Sequence, residues 1–159
     1  MSKKIHRIVL GGLAVIFLAF PTGSYAEDLL AVTGDGVSDV LSFEDLLAMP
    51  QSTVITKNDY IDDITEFSGP ALKDLLEKYN IGPNETLLMR AINDFSVSVP
   101  AIDAYQYNVI LALFSDGKKL TRRDKGPIWV IYPMSDHEEL RDDSYNSRII
   151  WQLTSITVE

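Results

Sequence analysis

The sequence predicts an α+β domain, mostly β, with two or three short helices. Apolar residues alternate with polar ones as in half-buried strands, most plainly along Phe95-Ser96-Val97-Ser98-Val99. Turn-forming pairs and triplets, among them Gly34-Asp35-Gly36, Asn93-Asp94 and Asp116-Gly117, punctuate these runs. Helical spacing occurs only in short pieces, the best being Leu72, Leu75, Leu76 and Tyr79.

The chain begins with an export signal. Lys3, Lys4 and Arg7 precede an uncharged apolar run over residues 8–20, and Ser24-Tyr25-Ala26 places small residues where a signal peptidase cuts. The run is short for a membrane span of about 20 residues, so no stable anchor is expected after cleavage. No paired arginine precedes it, which points to the general secretory route and export of an unfolded chain. Residues 27–159 then form one domain, large enough for a real core.

Within that domain, residues 29–33 and 37–41 read as strands around the glycine turn. Ser42 caps a short helix with Asp45 three positions on, and Phe43, Leu46 and Leu47 are its apolar face. Pro50 stops it, and 52–56 is a β-branched strand. Residues 59–66 are acidic and irregular. Gly69-Pro70 opens the second helix, with Pro70 in its first turn, and Asn80 and Gly82 end it. Strands follow at 85–91 and 95–99, then one helical turn over 100–105. Residues 109–114 and 128–132 read as strands covered on both faces. In the last strand Ile149, Trp151 and Leu153 share one parity and Ile156 and Val158 the other, so a bulge is expected near Thr154-Ser155.

The chain is acidic, with 23 Asp+Glu against 14 Lys+Arg and a net charge of −9. Such a surface repels nucleic acid and anionic lipid. There is no cysteine, which excludes thiolate catalysis, thiol redox chemistry and thiolate metal ligation. His137, the one histidine after the signal, sits in Ser135-Asp136-His137-Glu138-Glu139, where no catalytic or metal spacing accompanies it; this reads as a helix start capped by Ser135. The acidic run Asp59, Asp62, Asp63, Glu66 lacks the EF-hand pattern.

The sign of charge inverts locally. Lys118, Lys119, Arg122, Arg123 and Lys125 fall within eight positions. They make either an anion site or a solvated hairpin that guards a sheet edge. Arg148 enters an apolar stretch and needs a partner or a cleft, because an unpaired buried charge is unstable; Asp124 and Asp94 are candidate partners. Arg90 and Asn93 end one strand, where Asn93-Asp94 either simply turns the chain or lines a pocket beside Arg148.

The blocks PALKDLLEKYNI, MRAINDFSVSVP, VILALFSDGKKL, RRDKGPIWVIYP and SRIIWQL, in this order, resemble the small exported members of the oxidoreductase molybdopterin-binding domain family. RDKGPIWVIYP with SRIIWQL is the most specific part. The resemblance implies a sulfite-oxidase-type molybdopterin-binding fold and a periplasmic location. It also implies a cofactor cleft near Arg90, Asn93, Arg122, Lys125, Tyr132, Arg148 and Trp151. The family's molybdenum is held by a cysteine thiolate, and the matching stretch, residues 53–67, has none. The expectation is therefore a non-catalytic binding or sensory-accessory module without metal. Its cleft would take a small anion or an envelope protein partner. The alternative is an oxidoreductase that holds molybdopterin without a protein thiolate.

Overall fold

A computed structural model describes residues 28–34 and 36–159; the expected export signal lies outside the described residues. Strands β1 (Asp28–Gly34) and β2 (Val37–Ser42) pair antiparallel across the expected turn. Ser42 then closes a capping box on α1 (Phe43–Ala48): its Oγ accepts the Asp45 N–H at 3.1 Å, and the Asp45 carboxylate accepts the Ser42 N–H at 2.9 Å. Leu46 is buried but Leu47 is 43% exposed. Six residues make under two turns, so the predicted apolar face narrows to Phe43 and Leu46.

Strand β3 (Gln51–Thr56) pairs along its whole length with β4 (Thr65–Pro70). The second strand corrects the sequence reading: Pro70 ends a strand rather than opening a helix, and Ala71 is the N-cap of α2 (Leu72–Lys78). Close approach explains it. A Cβ on Gly69 would lie 1.9 Å from the Leu111 carbonyl oxygen, so the glycine is there to let another strand come near. Helix α2 ends in a Schellman motif, with Asn80 at φ 57°, Ile81 N–H on the Leu76 carbonyl and Asn80 N–H on that of Glu77.

Strands β5 (Thr86–Ala91) and β6 (Ser96–Pro100) form a hairpin and lead into α3 (Ile102–Gln106). The run predicted as one strand over 109–114 splits in two. Its first part, β7 (Ile110–Ala112), and its second, β8 (Phe114–Ser115), belong to different sheets; β9 (Lys118–Lys119) returns against β8. Next come β10 (Trp129–Ile131), which pairs with β7, a fourth helix, α4 (Asp143–Asn146), and β11 (Leu153–Val158). Four short helices are thus present among the described residues, where two or three were expected.

The sheets run β2-β1-β11-β5-β6, β3-β4-β8-β9 and β10-β7. Among the described residues only the β1–β11 pair is parallel. The expected bulge is present: Leu153 pairs with Ala91 and Ser155 with Arg90, which leaves Thr154 as the extra residue. It lets Leu153, Ile156 and Val158 all face inward. The stretch before it is not strand, contrary to expectation. Ile149 and Ile150 are both buried, Trp151 makes one isolated bridge to Trp129, and Gln152 is left-handed at φ 52°. The core gathers Leu30, Phe67, Leu76, Met89, Leu111 and Tyr132, all fully buried, between the sheets and α2.

Candidate functional site

The structure does not bring the seven predicted site residues together. Arg90 is exposed on β5 and pairs with Asp94 at 3.5 Å. Asn93 turns the chain, its Oδ1 accepting the Phe95 N–H at 3.2 Å. Arg122 is exposed, and its carbonyl accepts from Gln152 Nε2 at 2.8 Å. The other four divide among three places.

Tyr132 and Arg148 close on an acid that sequence reasoning missed. Asp103, on α3, is 3% exposed. Its Oδ2 accepts from Arg148 Nη1 at 2.6 Å and from the Tyr132 hydroxyl at 2.8 Å. Neither Asp124 nor Asp94 partners Arg148. The Tyr145 ring stacks against the guanidinium at 4.4 Å. Burial, then the Asp103 charge, pushes the Tyr132 hydroxyl well above its ordinary pKa. Burial opposes the Arg148 charge, but the Asp103 hydrogen bond and charge outweigh it and raise its pKa. A Tyr132 with no exposed surface is a core residue, not a cleft residue. The signal for Asp103 was an acid between Ile102 and Ala104 in a helical turn, which only the fold shows to be buried.

Lys125 lines a cleft of about 420 Å³ with Lys118, Lys119 and Arg123. Phe67, Leu120 and Trp129 form its apolar wall. Strand β9 supplies the first two cations from a sheet edge, and a 3₁₀ turn, Arg122–Asp124, supplies Arg123. Among the described residues, none of Lys118, Lys119, Arg122, Arg123 and Lys125 has a carboxylate within ion-pair distance. Two acids, Asp116 and Asp124, line the same cleft but bond elsewhere: Asp124 accepts from the Thr121 hydroxyl at 2.6 Å and Asp116 from the Glu66 N–H at 3.1 Å. The Trp129 indole N–H is buried without a partner. Lys125 lies 5.1 Å from the centre of that ring, donates to the Tyr60 carbonyl at 3.2 Å, and adopts φ 66°.

Asn93 and Trp151 line a separate pocket of about 220 Å³, with Tyr60, Phe95 and Ile149. Tyr60 meets Trp151 edge-on at 4.9 Å. A third cleft, of about 340 Å³, lies among Asn58, Met134, Ser135, Arg141 and Asn146. Ser135 caps no helix. Its Oγ accepts the Lys57 N–H at 3.0 Å and so ties the end of β3 to the chain after β10. His137 precedes a 3₁₀ turn, Glu138–Arg141, and packs edge-on against Tyr107 at 5.0 Å. Among the described residues no three His, Asp or Glu side chains gather as a metal site.

No family model matches the chain, and no curated protein matches it. A solved structure does. The fold is similar to that of the sulfane dehydrogenase SoxCD from Paracoccus pantotrophus. The TM-score is 0.62 at 18% identity, over 81% of this chain and 37% of that one. The relationship is distant and concerns the fold; the chain spans little more than a third of the SoxCD chain it matches.

Proposed function

We propose that this chain is an exported, non-catalytic binding module on a sulfite-oxidase-type fold, and that its basic cleft takes a small anion. The likeness to SoxCD, a protein of that type, supports the fold reading. One observation carries the function: four cations line one cleft of an acidic chain without an acid paired to any of them. Cations without a carboxylate partner suit phosphate or carboxylate oxygens.

The donor set does not fit a molybdenum held through a protein thiolate, because there is no cysteine. Of the residues expected in a cofactor cleft, Tyr132 is fully buried with its hydroxyl donated to Asp103, so it is not open to a pterin. Elemental and pterin analysis of protein recovered from its native envelope is expected to find neither molybdenum nor pterin; stoichiometric molybdenum would overturn the non-catalytic reading.

The test of the cleft is titration with phosphate, sulfate and small carboxylates, read by thermal shift. Arg123→Ala and Lys118→Ala are each expected to weaken binding about tenfold, the size of one charge-assisted hydrogen bond. Affinity should fall with added salt. If no anion raises Tm, or if both variants bind as the parent does, the anion reading is lost. Periplasmic export is tested by fractionation and by an N-terminus beginning at Glu27.

A further inference from the structure

An open sheet edge leaves backbone donors and acceptors unpaired, and folded proteins blunt such edges with charge, proline or a covering group. Three of the four outer strands of the two larger sheets are blunted in this way. Strand β9 is Lys118 and Lys119. On β2 the Val40 and Ser42 N–H groups are taken by the carboxylates of Asp39 and Asp45, at 2.9 Å each. On β6 the Phe95 carbonyl bonds the Ala91 N–H, so alternation turns Pro100, which has no N–H, to the open side. Strand β3 has no such device: Gln51–Thr56 contains neither charge nor proline. The Glu66 and Ser68 carbonyls of β4 accept from Asp116 and Leu113 on the far side, so Thr65 and Phe67 face β3, paired with Thr56 and Val54. Alternation then turns Thr53 and Ile55 away from β4. Both are exposed, Ile55 by 54%. The Thr53 carbonyl accepts from the Asn108 side chain at 3.3 Å, but among the described residues both N–H groups and the Ile55 carbonyl have no partner.

We propose that β3 is a docking edge for an extended peptide segment of a partner, basic at its N-terminal end, which adds to the four-stranded sheet antiparallel to β3. Backbone pairing gives Thr53 and Ile55 the donors and acceptors they lack. Charge selects the partner. Strand β3 runs into an acidic turn, where Asp62 and Asp63 are exposed, and Glu66 lies directly across from Ile55. None of these three acids makes an ion pair among the described residues. Antiparallel order sets the leading residues of the added strand beside that turn, where lysine or arginine meets Asp62 and Asp63. A second copy of this chain would instead bring another net charge of −9 to the edge. Neither Thr53 nor Ile55 lines the basic cleft, so this edge and the anion site stand or fall separately.

Amide hydrogen exchange read by NMR tests this, with the capped peptide Lys-Lys-Thr-Val-Thr-Val as probe. At saturation, exchange at Thr53 and Ile55 should slow by about tenfold or more, with Ser96 and Ser98 on β6 unchanged. A peptide with both lysines replaced by glutamate should bind about fivefold to tenfold more weakly, and added salt should narrow the gap. N-methylation of the peptide nitrogens that face β3 should abolish binding. The double variant Asp62→Asn, Asp63→Asn changes only exposed side chains and should weaken the lysine peptide about threefold to tenfold without weakening the glutamate peptide. Thr53→Pro removes an outward donor but no bond to β4, and should abolish the protection of Ile55. The proposal is overturned if about 1 mM peptide leaves Thr53 and Ile55 unprotected, if β6 is protected instead, or if the N-methylated peptide binds as well. Equal affinity for the lysine and glutamate peptides overturns it too. So does a dimer, seen by sedimentation, that protects Thr53 and Ile55 without peptide, because the occupant is then a second copy.

Discussion

Arg148→Ala should destabilise the domain severely without acting on a ligand. The substitution leaves Asp103, 3% exposed, as a buried carboxylate whose charge is no longer matched. Tyr132 still donates to it, but one neutral hydrogen bond does not replace a guanidinium. Removal of one member of a buried ion pair costs about 3–5 kcal/mol. At roughly 3–5 °C per kcal/mol for a domain of this size, Tm should fall by about 10–20 °C. Urea unfolding followed by tryptophan emission measures the loss as a lower midpoint at unchanged slope. The triple variant Asp103→Leu, Tyr132→Phe, Arg148→Met removes every polar member of the cluster and should recover most of the loss. If Arg148→Ala loses less than about 1 kcal/mol, the ion pair is not what holds this corner together. If instead anion affinity collapses while stability holds, Arg148 is a ligand residue after all.

Three further outcomes follow from the geometry. Gly69→Ala places a Cβ 1.9 Å from a backbone oxygen that has no room to retreat, so soluble yield and far-UV circular dichroism should both collapse, a loss above about 4 kcal/mol. Lys125 sits at φ 66°, so Lys125→Gly should be more stable than Lys125→Ala by about 1 kcal/mol in urea unfolding, while both lose anion binding equally. In alkali, burial raises the Tyr132 hydroxyl well above its ordinary value and pushes that of Tyr107 up to about 12. Both folded values exceed the unfolded one, so the stability they contribute is complete below about pH 10. It is lost as the pH rises from there through the folded values, because the unfolded chain ionises first. Urea midpoints that stay level between about pH 10 and 11 would contradict this, and Tyr132→Phe should flatten the decline.

Much of the fold was legible because its signals are local. The Ser42–Asp45 box, the Asn80 stop and the alternation over β6 each depend on neighbours in sequence. The Thr154 bulge was legible from a parity change alone. What was not legible depended on distant chain. Strand β4 lies in an acidic stretch and ends at Gly69-Pro70; its pairing with β3 and its approach to Leu111 override a dipeptide that otherwise opens helices. The apolar run at 109–114 divides because its two halves meet different partners, β10 and β4. The site was harder still. Arg148 plainly needed a partner, yet Asp103 lies 45 positions away and lacks any pattern of its own. The basic cluster was legible as charge, but whether its acids neutralise it is a question of side-chain geometry.

That geometry also explains why the cations stand where they do. Lys125 and Gln152 are both left-handed, a conformation that non-glycine residues adopt only when the surroundings hold them there. The surroundings here are each other. Gln152 donates its backbone N–H to the Lys125 carbonyl at 3.1 Å and its side-chain amide to the Arg122 carbonyl at 2.8 Å. The segment that carries Trp151 thus clamps both ends of the turn that carries Arg122, Arg123 and Lys125. A hairpin whose only task is to keep a sheet edge soluble needs charge but no fixed backbone, and Lys118 and Lys119 alone meet that need. Two left-handed residues, joined by hydrogen bonds that Gln152 donates to both ends of the turn, fix the backbone from which Arg123 and Lys125 project. Fixed direction matters for binding and not for solubility, so the turn supports the reading of a cleft over that of a guarded edge.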